Sequence, residues 1–168
     1  LAYNELANSV TIEDNGSYDR TSEKNEALNT ELYNIIKELD KNGDVIENDF
    51  EIGLDDDGNY YYTVEGTTLK RFLADTYGHS SADDLAYNKK LEYNEAEATP
   101  KQVMDYLCRS SDQNGYDLSE DNYAREDLYR IAVLRCAIAE NSYQKYISTT
   151  IAKNVSDETV AYITENMN

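Results

Sequence analysis

The chain has 168 residues, of which 15 are Lys or Arg and 34 are Asp or Glu, so its formal net charge is −19. This length is sufficient for one domain with a substantial core. The negative charge argues against binding to nucleic acid or anionic lipid, because both require a basic face, and we interpret it as a solubilising acidic surface.

No run of 18 or more apolar residues occurs in the sequence, and no secretory signal peptide is visible. The chain opens on Leu1 rather than on Met. We therefore expect it to be an excised piece of a longer protein, in which case neither absence describes the parent.

The first predicted elements are a strand and a helix. Residues 1–12 have strand composition ending in Val-Thr-Ile, and the EDNGS that follows predicts a turn. A helix is predicted from about 22 to 40, with Thr21 or Ser22 as its cap and Gly43 as its stop. Apolar residues at helical spacing form one stripe along it: Leu28, Leu32, Ile35, Ile36 and Leu39.

Residues 44–66 carry the strongest hairpin signal. Apolar or aromatic residues alternate on both sides of an acidic, glycine-containing loop: Phe50, Ile52 and Leu54, then Tyr60, Tyr62 and Val64. A loop of Asp56, Asp57 and Gly58, with Gly58 left-handed, places both sets on one face. A two-residue turn would pair Leu54 with Tyr61 and bury less, so we favour the longer loop.

Two helices are predicted in the next segment. One runs from 68 to 76, turns Leu69, Phe72 and Leu73 inward, and ends at Gly78. Ser81 and Asp84 form a capping pair that opens a weaker helical stretch through Leu85 and Leu91.

Thr99-Pro100-Lys101-Gln102 is a stronger helix start, with a cap, a Pro in the first turn and a Gln at the third position. This helix carries Val103 and Leu107 and ends near Arg109. The SSDQNGYD that follows is predicted to be a loop.

The longest predicted helix spans about 121 to 141 and should be largely buried. Its apolar face is wide: Ala124, Leu128, Ile131, Ala132, Ile138 and Ala139, widened by Val133, Leu134 and Ala137. The two cysteines, Cys108 and Cys136, lie in predicted helices. The sequence does not decide whether they pair, and we interpret them as small buried hydrophobic residues.

The C-terminal stretch, 142–168, begins with the composition of a strand and continues with apolar residues at helical spacing. Ser156 is placed to cap a helix, and Val155 and Val160 to form a hydrophobic staple. Val160, Ile163 and Met167 then share one helical face. A strand that feeds a short capped helix suggests a joint between two parts of a larger protein, with the rest cut away.

Three groups of residues are candidates for a metal-binding or catalytic site. Asp40, Asn42, Asp44 and Glu51 fall at positions 1, 3, 5 and 12 of a calcium loop. Position 6 is Val45 instead of the Gly that the turn requires, so a helix end followed by a turn is the favoured interpretation.

Ser142 and Lys145 match the S-x-x-K motif of penicillin-binding enzymes, but they enter a predicted strand and the chain contains no K-T-G. His79, the only histidine, is interpreted as a solvated loop residue. We therefore predict no catalytic, cofactor-binding or metal-binding residue and no cofactor.

Several segments, in order, resemble the N-terminal module of class B penicillin-binding proteins. The segments are LAYNELANSVTI (1–12), KNGDVIENDFEIGLDDDGNYYYTVEG (41–66) with LKRFLADTYG (69–78), ATPKQVMDYLC (98–108), and YAREDLYRIAVLRCAIAENSYQKYISTTIAKNVSDETVAYITEN (123–166). In the family they correspond to the segment after the membrane anchor, the head hairpin and its helix, and the return path toward the transpeptidase side.

The resemblance implies a single non-catalytic pedestal, or dimerisation, module over 1–168. Its fold would be α+β, with a head of hairpin and helices over about 22–141. The base strands, over about 1–13 and 142–153, would pair in a small sheet. No catalytic residue of the family maps onto this chain, because the nucleophile and the S-x-N and K-T-G motifs lie beyond it.

The resemblance also implies a place and partners. The module would stand on the extracytoplasmic face of the bacterial membrane, within a single-pass anchored peptidoglycan D,D-transpeptidase that serves cell-wall synthesis and cell shape. Its partners would be its own transpeptidase domain, a SEDS-type glycosyltransferase, other cell-wall synthesis proteins and, from the name of the module, a second copy. The alternative is a free-standing secreted acidic protein that binds a ligand or calcium.

Overall fold

The structure, a computed structural model, describes residues 8–14, 18–142 and 147–167. Within these ranges the chain forms five α-helices and three two-stranded antiparallel sheets, which confirms the predicted α+β class. The helices are α1 (Thr21–Lys41), α2 (Gly66–Thr76), α3 (Pro100–Leu107), α4 (Arg125–Asn141) and α5 (Asp157–Asn166). The strands are β1 (Val10–Glu13), β2 (Ile52–Leu54), β3 (Tyr60–Tyr62), β4 (Tyr87–Asn88), β5 (Tyr93–Asn94) and β6 (Ser148–Ala152).

The chain folds as two compact units. The first takes in the described parts of Leu1–Asp49 and Ser110–Asn168, and the second is Phe50–Arg109. Helices α1 and α4 therefore belong to the first unit, together with β1 and β6. The single module predicted from the sequence stays a prediction.

The first unit is organised around α1, which packs against α4. The predicted apolar stripe of α1 is confirmed, since each of its five residues is at most 2% exposed. Helix α1 ends as predicted, because Gly43 adopts a left-handed backbone (φ 74°). Its N–H donates to Asp40 O (3.3 Å) and that of Asp44 donates to Leu39 O (2.8 Å), the paired bonds that close a helix with a C-terminal glycine.

The start of α1 differs from the prediction. Thr21 is already helical, and Arg20 precedes it in an extended conformation without a capping side-chain bond. The hydroxyl of Thr21 donates instead to Asn114 Oδ1 (3.3 Å), so the predicted cap residue is used for a tertiary contact.

Helix α4 starts later than predicted, which makes α1 with its 21 residues the longest helix of the described chain. A turn at Ser119, whose carbonyl accepts from Asn122 and Tyr123 N–H (both 3.0 Å), occupies the predicted first turn. Ala124 and Ala139 are exposed rather than on the buried face. The rest of the predicted face is confirmed for Leu128, Ile131, Ala132, Val133, Leu134 and Ile138.

Strands β1 and β6 pair antiparallel, with Val10 opposite Ala152 and Ile12 opposite Thr149. The predicted pairing of the two base strands is confirmed for these residues, while 1–7, 15–17, 143–146 and 168 lie outside the described residues. The C-terminal strand begins at Ser148, not at 142, because α4 continues through Asn141. Val10, Ile151 and Ala152 are buried and contribute to the core of this unit.

In the second unit the β2–β3 hairpin has the register of the longer loop, with Leu54 opposite Tyr60 and Ile52 opposite Tyr62. Gly58 is left-handed (φ 83°), as predicted. The loop closes through Asp55 N–H, which donates to Asn59 O (2.9 Å).

The helical stretch predicted through Leu85 and Leu91 is wrong. After a short 3-10 turn at Ala82–Asp84, the chain forms the β4–β5 hairpin. The Oδ1 of Asn88 accepts from the backbone N–H groups of Lys90 and Leu91 (both 3.1 Å), so a side chain takes donors that a helix would use.

The two helices of the second unit are close to their predictions. Helix α2 begins at Gly66, two residues early, and ends before Gly78, with Leu73 fully buried. Helix α3 has the predicted capping box, in which Thr99 Oγ1 accepts from Gln102 N–H (3.1 Å) and Gln102 Oε1 accepts from Thr99 N–H (2.9 Å).

Candidate functional site

The most connected polar cluster of the first unit lies where α5 begins. We call it the α5 joint and define it as Asn42, Asp44, Ser156 and Thr159. Ser156 caps α5 as predicted, since its Oγ accepts from Thr159 N–H (3.3 Å). Val155 before it is 2% exposed. The local sequence therefore starts the helix, and the rest of the joint fixes it to α1.

Asp44 ties the two helices together. Its Oδ2 accepts from Ser156 Oγ (3.0 Å) and from Thr159 Oγ1 (2.6 Å), and its carboxylate also accepts from Ser156 N–H (3.1 Å). Burial raises the pKa of this carboxyl, but the hydrogen bonds from Thr159 and Ser156 outweigh it, and the pKa lies below its usual value. Asp44 is therefore an ionised anchor at the positive end of α5.

Thr159 completes the joint from the inside. It is fully buried, and its Oγ1 accepts from Asn42 Nδ2 (2.9 Å) while donating to Asp44. Asn42 Nδ2 also lies 3.0 Å from Glu38 Oε1 on α1. The contacts of Asp44 with Ser156 and Thr159, and of Asn42 with Thr159, join the C-terminal end of α1 to the first turn of α5.

Backbone hydrogen bonds hold the same region from the strand side. Glu47 N–H donates to Ile151 O (2.7 Å), and Val155 N–H donates to Asn8 O (3.0 Å). Strand β6 and the start of α5 are thus fixed to segments from the N-terminal part of the chain. This arrangement is suited to holding an orientation, and the hydroxyls of Ser156 and Thr159 are used in it as partners of Asp44.

The residues weighed as a calcium loop are used otherwise. Asp40 binds Arg130 (Oδ2 to Nη2, 2.8 Å), and Asn42 and Asp44 belong to the α5 joint. Glu51 lies in the second unit. Among the described residues no group of three or more His, Cys, Asp or Glu is placed to hold a metal ion. A helix end followed by a turn, the favoured interpretation, is what the structure shows.

The S-x-x-K serine lies at the wrong end of a helix for its family role. Ser142 follows the last residue of α4, and its Oγ donates to Ala139 O (2.8 Å). Lys145 lies outside the described residues. The expectation that Ser142 enters a strand is wrong, but the conclusion that it lacks the setting of a nucleophile stays in place, because that role requires a helix start.

His79 lies in a loop, as predicted, but it is only partly solvated. Its Nε2 lies 2.8 Å from Glu95 Oε1, and its side chain is 27% exposed. Glu95 also accepts from Asn88 Nδ2 (3.1 Å) and Ala86 N–H (3.2 Å). Burial raises the pKa of Glu95, yet these hydrogen bonds and His79 lower it overall. We interpret the cluster as the polar support of the β4–β5 hairpin.

Tyrosines pack beside this hairpin. The hydroxyls of Tyr77 and Tyr93 are 2.8 Å apart, and the ring of Tyr77 lies 4.8 Å from that of Tyr106. Tyr62 Oη donates to Ala98 O, and burial raises the pKa of Tyr62 to about 12. Burial also raises the pKa of Tyr77 and Tyr93, so the phenols of Tyr62, Tyr77 and Tyr93 are neutral and structural.

The buried charged residues on α4 were not predicted from the sequence. Arg135, only 4% exposed, donates from Nη1 to Asn29 Oδ1 (2.7 Å) and lies over the ring of Tyr116. Asp127 binds Lys37 (2.7 Å) and Arg130 (2.8 Å). A signal was present: Arg135 stands four residues after Ile131, on the buried stripe, where a charged residue requires partners.

Neither cysteine forms a disulfide in the described chain, and both Cys108 and Cys136 are partly rather than fully buried. The described helices include none with the length and apolar character needed to cross a membrane. Compared with known proteins, the chain matches no protein-family model and no curated protein sequence.

Proposed function

We propose that this chain is the pedestal module of a class B penicillin-binding protein. It performs no catalysis itself. It holds a peptidoglycan D,D-transpeptidase domain outside the cytoplasmic membrane, at the height of its substrate. Two observations support this proposal. The segments that resemble the family occur in the same order as in the family, and each of them contains a helix or a strand within the described residues.

The observation that carries the proposal is the way both ends of the described chain meet. Strand β1 pairs with β6, across a sequence separation of 135 residues between Glu13 and Ser148, and the α5 joint then fixes the next element. A spacer needs this property, because whatever precedes β1 and follows α5 is then held in a set orientation. The proposed partners are the transpeptidase domain of the same protein and a SEDS-type glycosyltransferase.

The acidic surface supports the proposed location. A net charge of −19 keeps the module soluble and disfavours its adsorption to an anionic membrane surface. Such a module can stand clear of the lipid to which its parent is anchored.

The gene sequence on both sides of this chain tests the proposal. A membrane anchor should precede Leu1, and S-x-x-K, S-x-N and K-T-G motifs should follow Asn168 in that order. A reading frame that continues without these motifs, or that ends at Asn168, overturns it.

Labelling with a fluorescent penicillin is the biochemical counterpart. The full-length protein should be labelled, and Ala in place of the serine in the downstream S-x-x-K should abolish the label. The Ser142→Ala variant, as the matched control, should be labelled like the wild type. Labelling of the 168-residue chain at Ser142 would assign the chemistry to this chain and reject the pedestal.

A further inference from the structure

An open groove of about 510 Å³ lies between α1 and α5 in the first unit. It is lined by Glu26, Ala27, Thr30, Glu31 and Asn34 from α1, by Tyr162 and Asn166 from α5, and by Met167, which follows α5 directly. The residues on α1 lie beside its buried stripe rather than on it. Since Asn42 at the end of α1 contacts Thr159 at the start of α5, and the end of α5 lies beside the middle of α1, the two helices run antiparallel.

Negative potential in the groove has two sources. Glu31 and Glu26 have no ion pair or hydrogen bond with any part of the chain that the structure describes, and burial raises the pKa of the Glu31 carboxyl. The C-terminal end of α5, which carries no basic residue in its last turn, brings the negative end of the helix dipole to the same place. A cation entering here would meet two carboxylates and the negative end of a helix.

The groove also offers apolar surface of limited length. Tyr162 and Met167 are half-buried and line one side of the groove, and the small side chains of Ala27 and Thr30 line the other. The α1 residues from Glu26 to Asn34 span about 12 Å at 1.5 Å per residue. That length accommodates about four residues of an extended peptide at roughly 3.3 Å each.

We propose that the groove binds a short segment of a partner protein in which Lys or Arg alternates with apolar residues. Charge complementarity selects this occupant: the basic side chains reach Glu26 and Glu31, and the apolar ones pack on Tyr162 and Met167. A second copy of this chain is the weaker choice, because each copy carries 34 acidic against 15 basic residues and like charges repel. This inference is independent of the proposed function, since it concerns the chemistry of a partner and not the transpeptidase.

The test uses the 168-residue chain and an acetylated hexapeptide amide of alternating lysine and leucine. The peptide is titrated into the protein, and the backbone amide chemical shifts are followed by NMR. The amide signals of Ala27, Thr30 and Tyr162 should be the first to shift. Two control peptides replace lysine by glutamate or leucine by serine, and each should bind at least threefold more weakly. Glu31→Gln should weaken binding of the lysine–leucine peptide at least threefold. The control variant Glu140→Gln removes one exposed charge near the end of α4, outside the residues that line the groove, and should leave binding unchanged.

Three results would overturn the proposal. In the first, Glu31→Gln and Glu140→Gln weaken binding equally, which means that net charge alone attracts the peptide. In the second, the groove signals shift with protein concentration in the absence of peptide, which assigns the groove to a second copy. In the third, the full-length protein fails to bind a peptide that the 168-residue chain does bind, which assigns the groove to another segment of the same protein.

Discussion

Single polar residues determine much of the specific structure of the first unit. Arg135 lies among apolar side chains on α4, and its guanidinium keeps Asn29 in one orientation. The amide of Asn29 in turn donates to Tyr116 O (2.8 Å). Burial lowers the pKa of Arg135, as expected for a charge removed from water. Such residues select one packing arrangement of α1 against α4.

Asp44→Asn should destabilise the protein by about 1–3 kcal/mol, because hydrogen bonds to an ionised group are lost. Urea unfolding followed by circular dichroism measures the change. The control is Asp56→Asn in the exposed β2–β3 loop, which should stay within about 0.5 kcal/mol of the wild type. An Asp44 variant as stable as this control would show that the α5 joint contributes no stability.

The contribution of Asp44 should also depend on pH. Its pKa is lower in the folded protein than in the unfolded chain, where it is about 3.9. The stability that it contributes is therefore fully present above the unfolded pKa and disappears as pH falls through the folded pKa. The free-energy difference between wild type and Asp44→Asn, measured by urea unfolding from pH 7 downward, should be constant above about pH 5 and shrink below about pH 4. A difference that grows on acidification would contradict this assignment.

At the level of elements, two of the five described helices begin with a capping side chain. Helix α3 has the complete capping box at Thr99, and α5 has the Ser156 cap. Helix α1 lacks a capping side chain and depends on its buried stripe instead. Loss of a cap should therefore matter most for α3, which has only eight residues.

Thr99→Ala should lower the free energy of unfolding by about 1 kcal/mol, since it removes the acceptor for Gln102 N–H. Thermal unfolding measures the loss. The control Thr68→Ala changes an exposed threonine within α2 and should cost nothing, because alanine is the better helix former. Equal losses in the two variants would mean that the capping box is not what stabilises α3.

Gly53 in β2 lies beneath the ring of Tyr61. A Cβ at this position would come within 2.3 Å of Tyr61 Cζ, so the ring would have to move. Gly53→Ala should therefore lower the free energy of unfolding by about 1 kcal/mol in the wild type, and by much less in a Tyr61→Ala background. A double-mutant cycle by urea unfolding tests this, and additive costs would show that the ring is not the obstacle.

Local signals made several elements predictable and left others hidden. The stripe from Leu28 to Leu39, the Thr99 box and the Gly58 loop depend on neighbouring residues, so their patterns were readable. The β4–β5 hairpin was missed because Asn88 and Glu95 override a weak helical spacing. Only part of the α5 joint could be predicted from the sequence. Ser156 is recognisable as a helix cap, whereas its partner Asp44 lies 112 residues away along the chain.

At the scale of the whole molecule, charge is the dominant property. A net charge of −19 produces self-repulsion that favours the unfolded chain at low salt. Raising NaCl from 10 to 150 mM, which shortens the screening length from about 30 to 8 Å, should raise the melting temperature by about 2–4 °C.

Calcium and magnesium chloride at equal ionic strength should produce equal increases in melting temperature, because both act by screening. A larger increase with calcium that disappears in Asp44→Ala would instead indicate a calcium site at the end of α1.

The pairing of Val10 with Ala152 has a consequence for synthesis. A ribosome adds about 5–20 residues per second, so β1 emerges roughly 7 to 27 s before its partner strand exists. During that interval its edge is open to other chains. Early release of the nascent polypeptide, at any codon before Ser148, leaves β1 permanently unpaired and exposed to aggregation.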